Sequence, residues 1–444
     1  MNNTCESIGN QPTNQPISCF QLLIRINKYY ESKKDANAMN KRLPKVKGYF
    51  FTLLLVFVCL WVSPVFSQEK LPSSSIKFES LVFALQQEHV HGSSLAELPN
   101  GDMLIAWFQG SGERHADDVR IMGSRLSKGT NAWSKPFELA ETPGLPDCNP
   151  VLFLLGEKLY LVWVAVQANK WEQSILRFRT STNYHKAGPP LWEWQDNILL
   201  KPDVLFAKEV EAKLKSLPDL NEGWAEYAPK YDDMITEASK DITKRSMGWM
   251  TRIKPLILAN GTVLLPLYSD GLNMSMLAIS KDQGKSWQPS LPIVGRGPIQ
   301  PALAQRKDGT IVAYMRDSGN APNRVQVSES ADEGMTWTVA QKTNIPNTAS
   351  VELTVLKDGR WAFLGNDIGD GGRYRLSLYL SNDEGRTWPS KIIIEQDPSK
   401  KGSFSYPSLI AGKDGLLYLS YSYHLENNKK SIKYVVVDPS KIKK

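Results

Sequence analysis

Cysteine is scarce. The chain has four, and three of them, Cys5, Cys19 and Cys59, lie in the first 67 residues. Without that segment only Cys148 remains, which excludes an internal disulfide. A lone cysteine of this kind is expected to pack rather than react. Histidine is equally sparse, five in all. No Cys/His cluster has metal-ligand spacing and no glycine-rich phosphate loop is present, so neither metal nor cofactor is expected. Positive charge outside the N-terminus is also lacking. The formal charge is +7, but residues 1–67 hold eight Lys/Arg against three acids, which is +5 of the total. The near-neutral remainder argues against a nucleic-acid partner. Disorder is excluded by 10% aromatic content and 13 tryptophans.

The longest apolar run, Tyr49–Val62, falls short of the ~20 residues a membrane span needs. It sits within "MNKRLPKVKGYFFTLLLVFVCLWVSPVFSQ", which has a basic start, an apolar centre and small residues before Gln68. This reads as an export signal cut after Ser67, with Met39 an alternative start. The expectation is a secreted or periplasmic domain over 68–444, touching a membrane only through the signal or an uncleaved anchor.

Three near-copies of one octapeptide occur about fifty residues apart: "SKDQGKSW" at 280–287, "SADEGMTW" at 330–337 and "SNDEGRTW" at 381–388. A second period underlies them. Asn-Gly, Asp-Gly or a similar pair separates two apolar runs near 100, 156, 260, 308, 358 and 414. Such pairs accept the positive φ of a tight hairpin. Each unit continues through a third strand, the octapeptide turn and a fourth strand. Six four-stranded antiparallel repeats predict an all-β, six-bladed β-propeller, in which radial repetition protects the sheet edges. The last unit has only three strands of its own, so residues 76–84 are expected to supply the fourth and close the ring. The polar, partly helical stretch at about 200–247 reads as an insertion between blades two and three.

Strand direction then locates a site. The starts of the first strands, the ends of the second and the starts of the third share one pole, and the octapeptide turns lie at the other. The first-strand starts place His91, Asn149, Lys254, Gln300, Glu352 and Tyr406 around one mouth. Four of these precede proline, which is expected to hold them extended. Arg316 ends a second strand and Arg373 opens a third at the same pole. The loop 109–120 adds Glu113, His115, Asp117 and Asp118. Polar side chains converging on a channel mouth need water, partners or a ligand.

These features resemble the sialidase (neuraminidase) superfamily, specifically its Asp-box, BNR-repeat members, over about 75–440. The resemblance implies an exo-acting glycoside hydrolase that releases a terminal acidic sugar from glycans and needs no cofactor. It implies a sugar carboxylate held by arginines, with Arg316 and Arg373 resembling the second and third of the family's three. Tyr406 lies where the nucleophile would be. Asp117 or Asp118 lies in the loop that would carry the acid/base. Two positions depart from the pattern: His91 stands near the first arginine's place, and Gln300 where a glutamate would activate the tyrosine. Glutamine cannot accept a proton as a carboxylate does, so Glu352 is expected to serve as a water-activating base. His91, Asn149, Lys254 and Gln300 are expected to contact substrate. The alternatives are a uronate-directed glycosidase or lyase on the same propeller, or a glycan-binding propeller without catalysis.

Overall fold

The computed structural model describes residues 74–218 and 230–442. The chain divides into two units, Met1–Glu69 and Lys70–Lys444. The expected export signal and alternative start lie outside the described residues. Among those described, no helix is long and apolar enough to cross a membrane.

Six four-stranded antiparallel sheets form the second unit. In chain order, the innermost strands of blades one to six are His89–Glu97, Asp147–Leu155, Leu256–Ile257, Pro298–Gln305, Val351–Val355 and Ser403–Ala411. The sixth blade has three strands from the C-terminal end of the chain. Its outer strand is Ile76–Leu81, paired with Lys430–Val437. The ring is therefore closed by an early strand, as the missing fourth strand of the last repeat predicted. Lys433 reinforces this seam by ion pairs to Glu79 at 3.0 Å and Glu395 at 2.7 Å. The second strands are apolar on both faces because each is covered by neighbouring blades. Trp107, Trp163 and Trp361 are essentially inaccessible there.

The octapeptides build turns that also join blades. In "SADEGMTW" Asp332 accepts from Ser330 Oγ at 2.8 Å, Thr336 N at 2.9 Å and Thr336 Oγ1 at 2.7 Å. Gly334 has φ of +86°, and a Cβ there would lie 2.8 Å from Leu277 of the preceding blade. Only glycine fits both the backbone and the gap. Trp337 buries its ring beside Leu264 and Leu277 and donates to the Gly334 carbonyl. In the equivalent turn of blade three, the Gln283 carbonyl accepts from Tyr160 of blade two at 3.0 Å.

These turns predict two stability effects. Asp332→Ala orphans three donors and should lower stability by about 1–3 kcal/mol, read as a lower denaturant midpoint. The second effect is pH-dependent. Hydrogen bonds from Ser286 hold the Asp282 carboxyl at about 2. At Asp383 burial pushes the other way, but bonds from Thr387 and Ser381 again hold it at about 2. A carboxylate depressed in the folded state stabilises above its unfolded pKa of about 3.9, and that stability is lost as pH falls through the folded value. The midpoint should therefore drop between about pH 4 and pH 2, and less so in Asp383→Asn.

The expected insertion separates blades two and three. It contains α1 (Val204–Lys215), α2 (Tyr231–Lys240) and α3 (Ile242–Ser246). Asp203 caps α1 by accepting from Leu205 N, and Phe206, Val210 and Leu214 form its buried stripe. α2 docks through an Arg296–Asp232 ion pair at 2.7 Å and a bond from Asn273 to the Tyr231 hydroxyl at 2.7 Å. Asn273 belongs to the second-to-third strand loop of blade three, so the insertion leans on the pole where the polar side chains converge.

Candidate active site

Four innermost strands share one irregularity. Each ladder slips between the residues flanking Gly92–Ser93, Asn149–Pro150, Gln300–Pro301 and Tyr406–Pro407. Two residues of the inner strand face one of its neighbour, which is a β-bulge. The first residue of each pair has positive φ: Gly92 +62°, Asn149 +53°, Gln300 +58° and Tyr406 +55°. Extended backbone, expected from the following proline, is thus corrected at Asn149, Gln300 and Tyr406. Proline excludes the right-handed helical region for its predecessor, and the bulge takes the left-handed side instead. Non-glycine residues held there cost about 1–3 kcal/mol each and cluster at functional sites. A bulge also re-aims the side chain, here toward the channel mouth.

Tyr406 is the centre of the resulting cluster. Arg316 Nη1 donates to its hydroxyl at 3.3 Å. The Arg373 guanidinium lies 5.0 Å from its ring centroid and that of Arg252 5.2 Å. His91 packs on it with ring centroids 4.1 Å apart. Burial pushes the Tyr406 hydroxyl up, but Arg316, Arg373 and a hydrogen bond with Gln300 outweigh this and bring it below the ordinary tyrosine value. Neighbouring Tyr268 goes the other way, well above it, because burial is joined by the charge of Asp270. Asn149 donates to the Tyr268 hydroxyl at 3.2 Å. The structure thus brings His91, Asn149, Gln300, Arg316, Arg373 and Tyr406 to one mouth. Arg373 stands in the loop two residues before its strand, Arg375–Ser381, rather than opening it.

Arg252 was not anticipated. It is 2% exposed and donates to the carbonyls of Ser93 at 3.2 Å and Pro407 at 3.0 Å, tying blades one and six beneath Tyr406. Its signal was present in "TRIKP": in an extended segment Arg252 and Lys254 share a face. Lys254 itself turns to Glu352, at 2.8 Å, and to the Leu353 carbonyl at 2.7 Å.

That pairing corrects the role expected of Glu352. The residue is 2% exposed and also accepts from its neighbour Leu353 N. Burial pushes its carboxyl up against the pull of Lys254. A carboxylate closed off from solvent and bound to an ammonium is not placed to activate water; it holds Lys254 and faces the charge of Arg252. Glu352→Gln should therefore lower stability by up to about 3–5 kcal/mol, the range for breaking a buried pair. Turnover per folded molecule should stay within about tenfold; a large loss of turnover at unchanged stability would restore the catalytic role.

The carboxylates of the 109–120 loop also sort differently from expectation. Asp118 binds Ser111 N and Oγ at 3.1 and 2.9 Å, stapling the loop. Asp117 accepts from Asn169 at 2.9 Å. These partners lie in the loop and on the neighbouring turn, not in the tyrosine cluster. The carboxylate that senses the cluster is Glu113. Burial raises its pKa against the pull of Arg114 and Arg373, and its charge acts on Tyr406. Asp270, at the end of a second strand, is solvent-accessible but walled in by protein; this desolvation raises its carboxyl against Arg316. The rule that placed Arg316 at a second-strand end also covers Asp270. Among the described residues no group of three or more His, Cys, Asp or Glu is arranged to hold a metal, and Cys148 is buried and unpaired.

The chain matches the family model of the BNR repeat-like domain over residues 101–249 and 237–419. A search of curated protein sequences found no significant match. Among solved structures, a protein of unknown function from Dyadobacter fermentans is similar at 15% identity and TM-score 0.59, over 82% of this chain and 98% of that one. The NanB sialidase of Streptococcus pneumoniae is 12% identical with TM-score 0.57, over 82% and 71% of the two chains. The Trypanosoma rangeli sialidase is 14% identical with TM-score 0.53, over 79% and 55%. At such identities the likeness is one of fold. With the family model spanning most of its length, the chain belongs to the BNR repeat-like domain family.

Proposed function

We propose that the protein is a glycoside hydrolase of the sialidase type, removing a terminal carboxylate-bearing sugar from an acidic glycan. The observation that carries this reading is the convergence of Arg316 and Arg373, from different blades, on the one tyrosine Tyr406. Two guanidiniums at one mouth suit a carboxylate, each charge-assisted contact contributing about 1.5–3 kcal/mol. In this reading the Tyr406 proton leaves to solvent, favoured by the surrounding cations. The phenolate oxygen attacks the anomeric carbon as the glycosidic C–O bond breaks. Glu113, whose carboxyl burial pushes up against Arg114 and Arg373, gives its proton to the leaving oxygen. Its carboxylate then takes a proton from water, which displaces the tyrosine. Gln300 donates to the phenolic oxygen and cannot act as a base.

The test is product analysis on sialylated and uronate-containing glycans. Free sialic acid supports this reading, and Arg316→Gln should then raise KM by about tenfold or more. An unsaturated uronate product would replace it with a lyase. Binding without any turnover would favour a glycan-binding propeller, the reading that Gln300 in place of a carboxylate favours.

A further inference from the structure

Three of the five histidines in the chain meet beside Tyr406. The His91 ring centroid lies 5.7 Å from that of His89 and 5.5 Å from that of His424. The His424 ring is anchored by its Nε2 donating to the Val90 carbonyl at 2.7 Å. His91 is 6% exposed, and its Nδ1 is buried with no hydrogen-bond partner. An orphaned imidazole nitrogen at a ligand mouth is costly unless a ligand uses it.

The permanent charges facing His91 are the two guanidiniums of Arg373 and Arg252, because His89 and His424 are themselves lowered to about 4 by burial. His89 faces it from its own strand, His424 and Tyr406 from blade six, Arg373 from the loop before the third strand of blade five, and Arg252 from the segment entering blade three. Phe108 packs against it uncharged. Burial, with the Arg373 and Arg252 guanidiniums beside it, holds the His91 imidazole well below the usual histidine range. A carboxylate seated on Arg316 and Arg373 reverses the local field, and an oxygen of the ligand supplies the acceptor that a proton on Nδ1 otherwise lacks.

We propose that His91 is the third cationic contact of the substrate carboxylate and takes up its proton from solvent only as the anionic sugar binds. This rests on the reading of Arg316 and Arg373 as the carboxylate clamp. It makes recognition of the acid pH-dependent in a way that permanently charged side chains would not.

Isothermal titration calorimetry tests it, with N-acetylneuraminate and, in parallel, glucuronate as ligands, from pH 5 to 8 in buffers of different ionisation enthalpy. The wild type should take up close to one proton per sugar bound. Kd should weaken by about tenfold per pH unit between the pKa of His91 in the free protein and the higher value it reaches in the complex, and level off above the latter. His91→Gln should abolish uptake and flatten the pH dependence. His91→Arg should bind without uptake and, at pH 8, more tightly than the wild type. His424→Gln should still take up the proton. Binding by the wild type without proton uptake overturns the proposal alone, and needs no variant to fold. Uptake that persists in His91→Gln, or vanishes in His424→Gln, assigns the proton elsewhere and also overturns it. Failure of both sugars to bind at every pH removes the acidic-sugar reading itself, and this inference with it.

Discussion

Tyr406→Phe should reduce hydrolysis of a sialylated substrate by about 10³-fold or more, the scale seen when a nucleophile is deleted and the rest of a site is left in place. The substitution keeps the ring that Arg252, Arg373 and His91 pack against and removes only the oxygen to which Arg316 donates. Binding of the free acidic sugar should therefore stay within about tenfold, and the denaturant midpoint should change little. The split between kcat and Kd is the diagnostic. A mutant that loses binding and turnover in parallel would make Tyr406 a substrate contact. One that keeps more than a tenth of wild-type turnover would exclude covalent catalysis by it.

Glu113→Gln should reduce hydrolysis of natural glycosides by about 10²–10⁴-fold, the usual contribution of a general acid. The loss should nearly disappear with an aryl glycoside such as a 4-methylumbelliferyl sugar, whose leaving oxygen departs without a proton. Asp117→Asn and Asp118→Asn should lack this leaving-group signature, because their carboxylates bind Asn169 and Ser111. Asp118→Asn is expected to loosen the loop and cost a moderate, substrate-independent part of activity. If Glu113→Gln hydrolyses both substrate types normally while Asp117→Asn shows the selective loss, the acid belongs to Asp117 and the loop rearranges on binding.

The site was legible in part, for identifiable reasons. Position along a propeller strand follows from counting, so Arg316, Arg373, Gln300 and Tyr406 could be assigned to one pole before any coordinates. Their clustering on a single ring could not, because it depends on bulges that turn side chains out of strict alternation. Asn149, Gln300 and Tyr406 stand before proline, and the motif suggested extended backbone. The left-handed values come from ladder slippage, which neighbouring strands impose. Roles were harder to read than places. Glu352 and Glu113 are both glutamates at the right pole, yet one closes on Lys254 while the other faces Arg373. No local pattern separates a carboxylate with a lysine from a carboxylate with a substrate. Arg252 is similar: its two acceptors, the Ser93 and Pro407 carbonyls, are more than 150 residues away in sequence.

What the sequence by itself determined is the ring. The Asp-Gly hairpins and the "SxDxGxTW" turns are short-range devices whose residues satisfy each other within eight positions, so repetition alone set the blade count, the closing strand and the pole of the site. What only the tertiary structure decided is which charges meet there. Tyr406 lies among Arg252, Arg316, Arg373 and His91 because five blades converge on the axis, and electrostatic neighbours across an axis are set by packing, not by spacing along the chain.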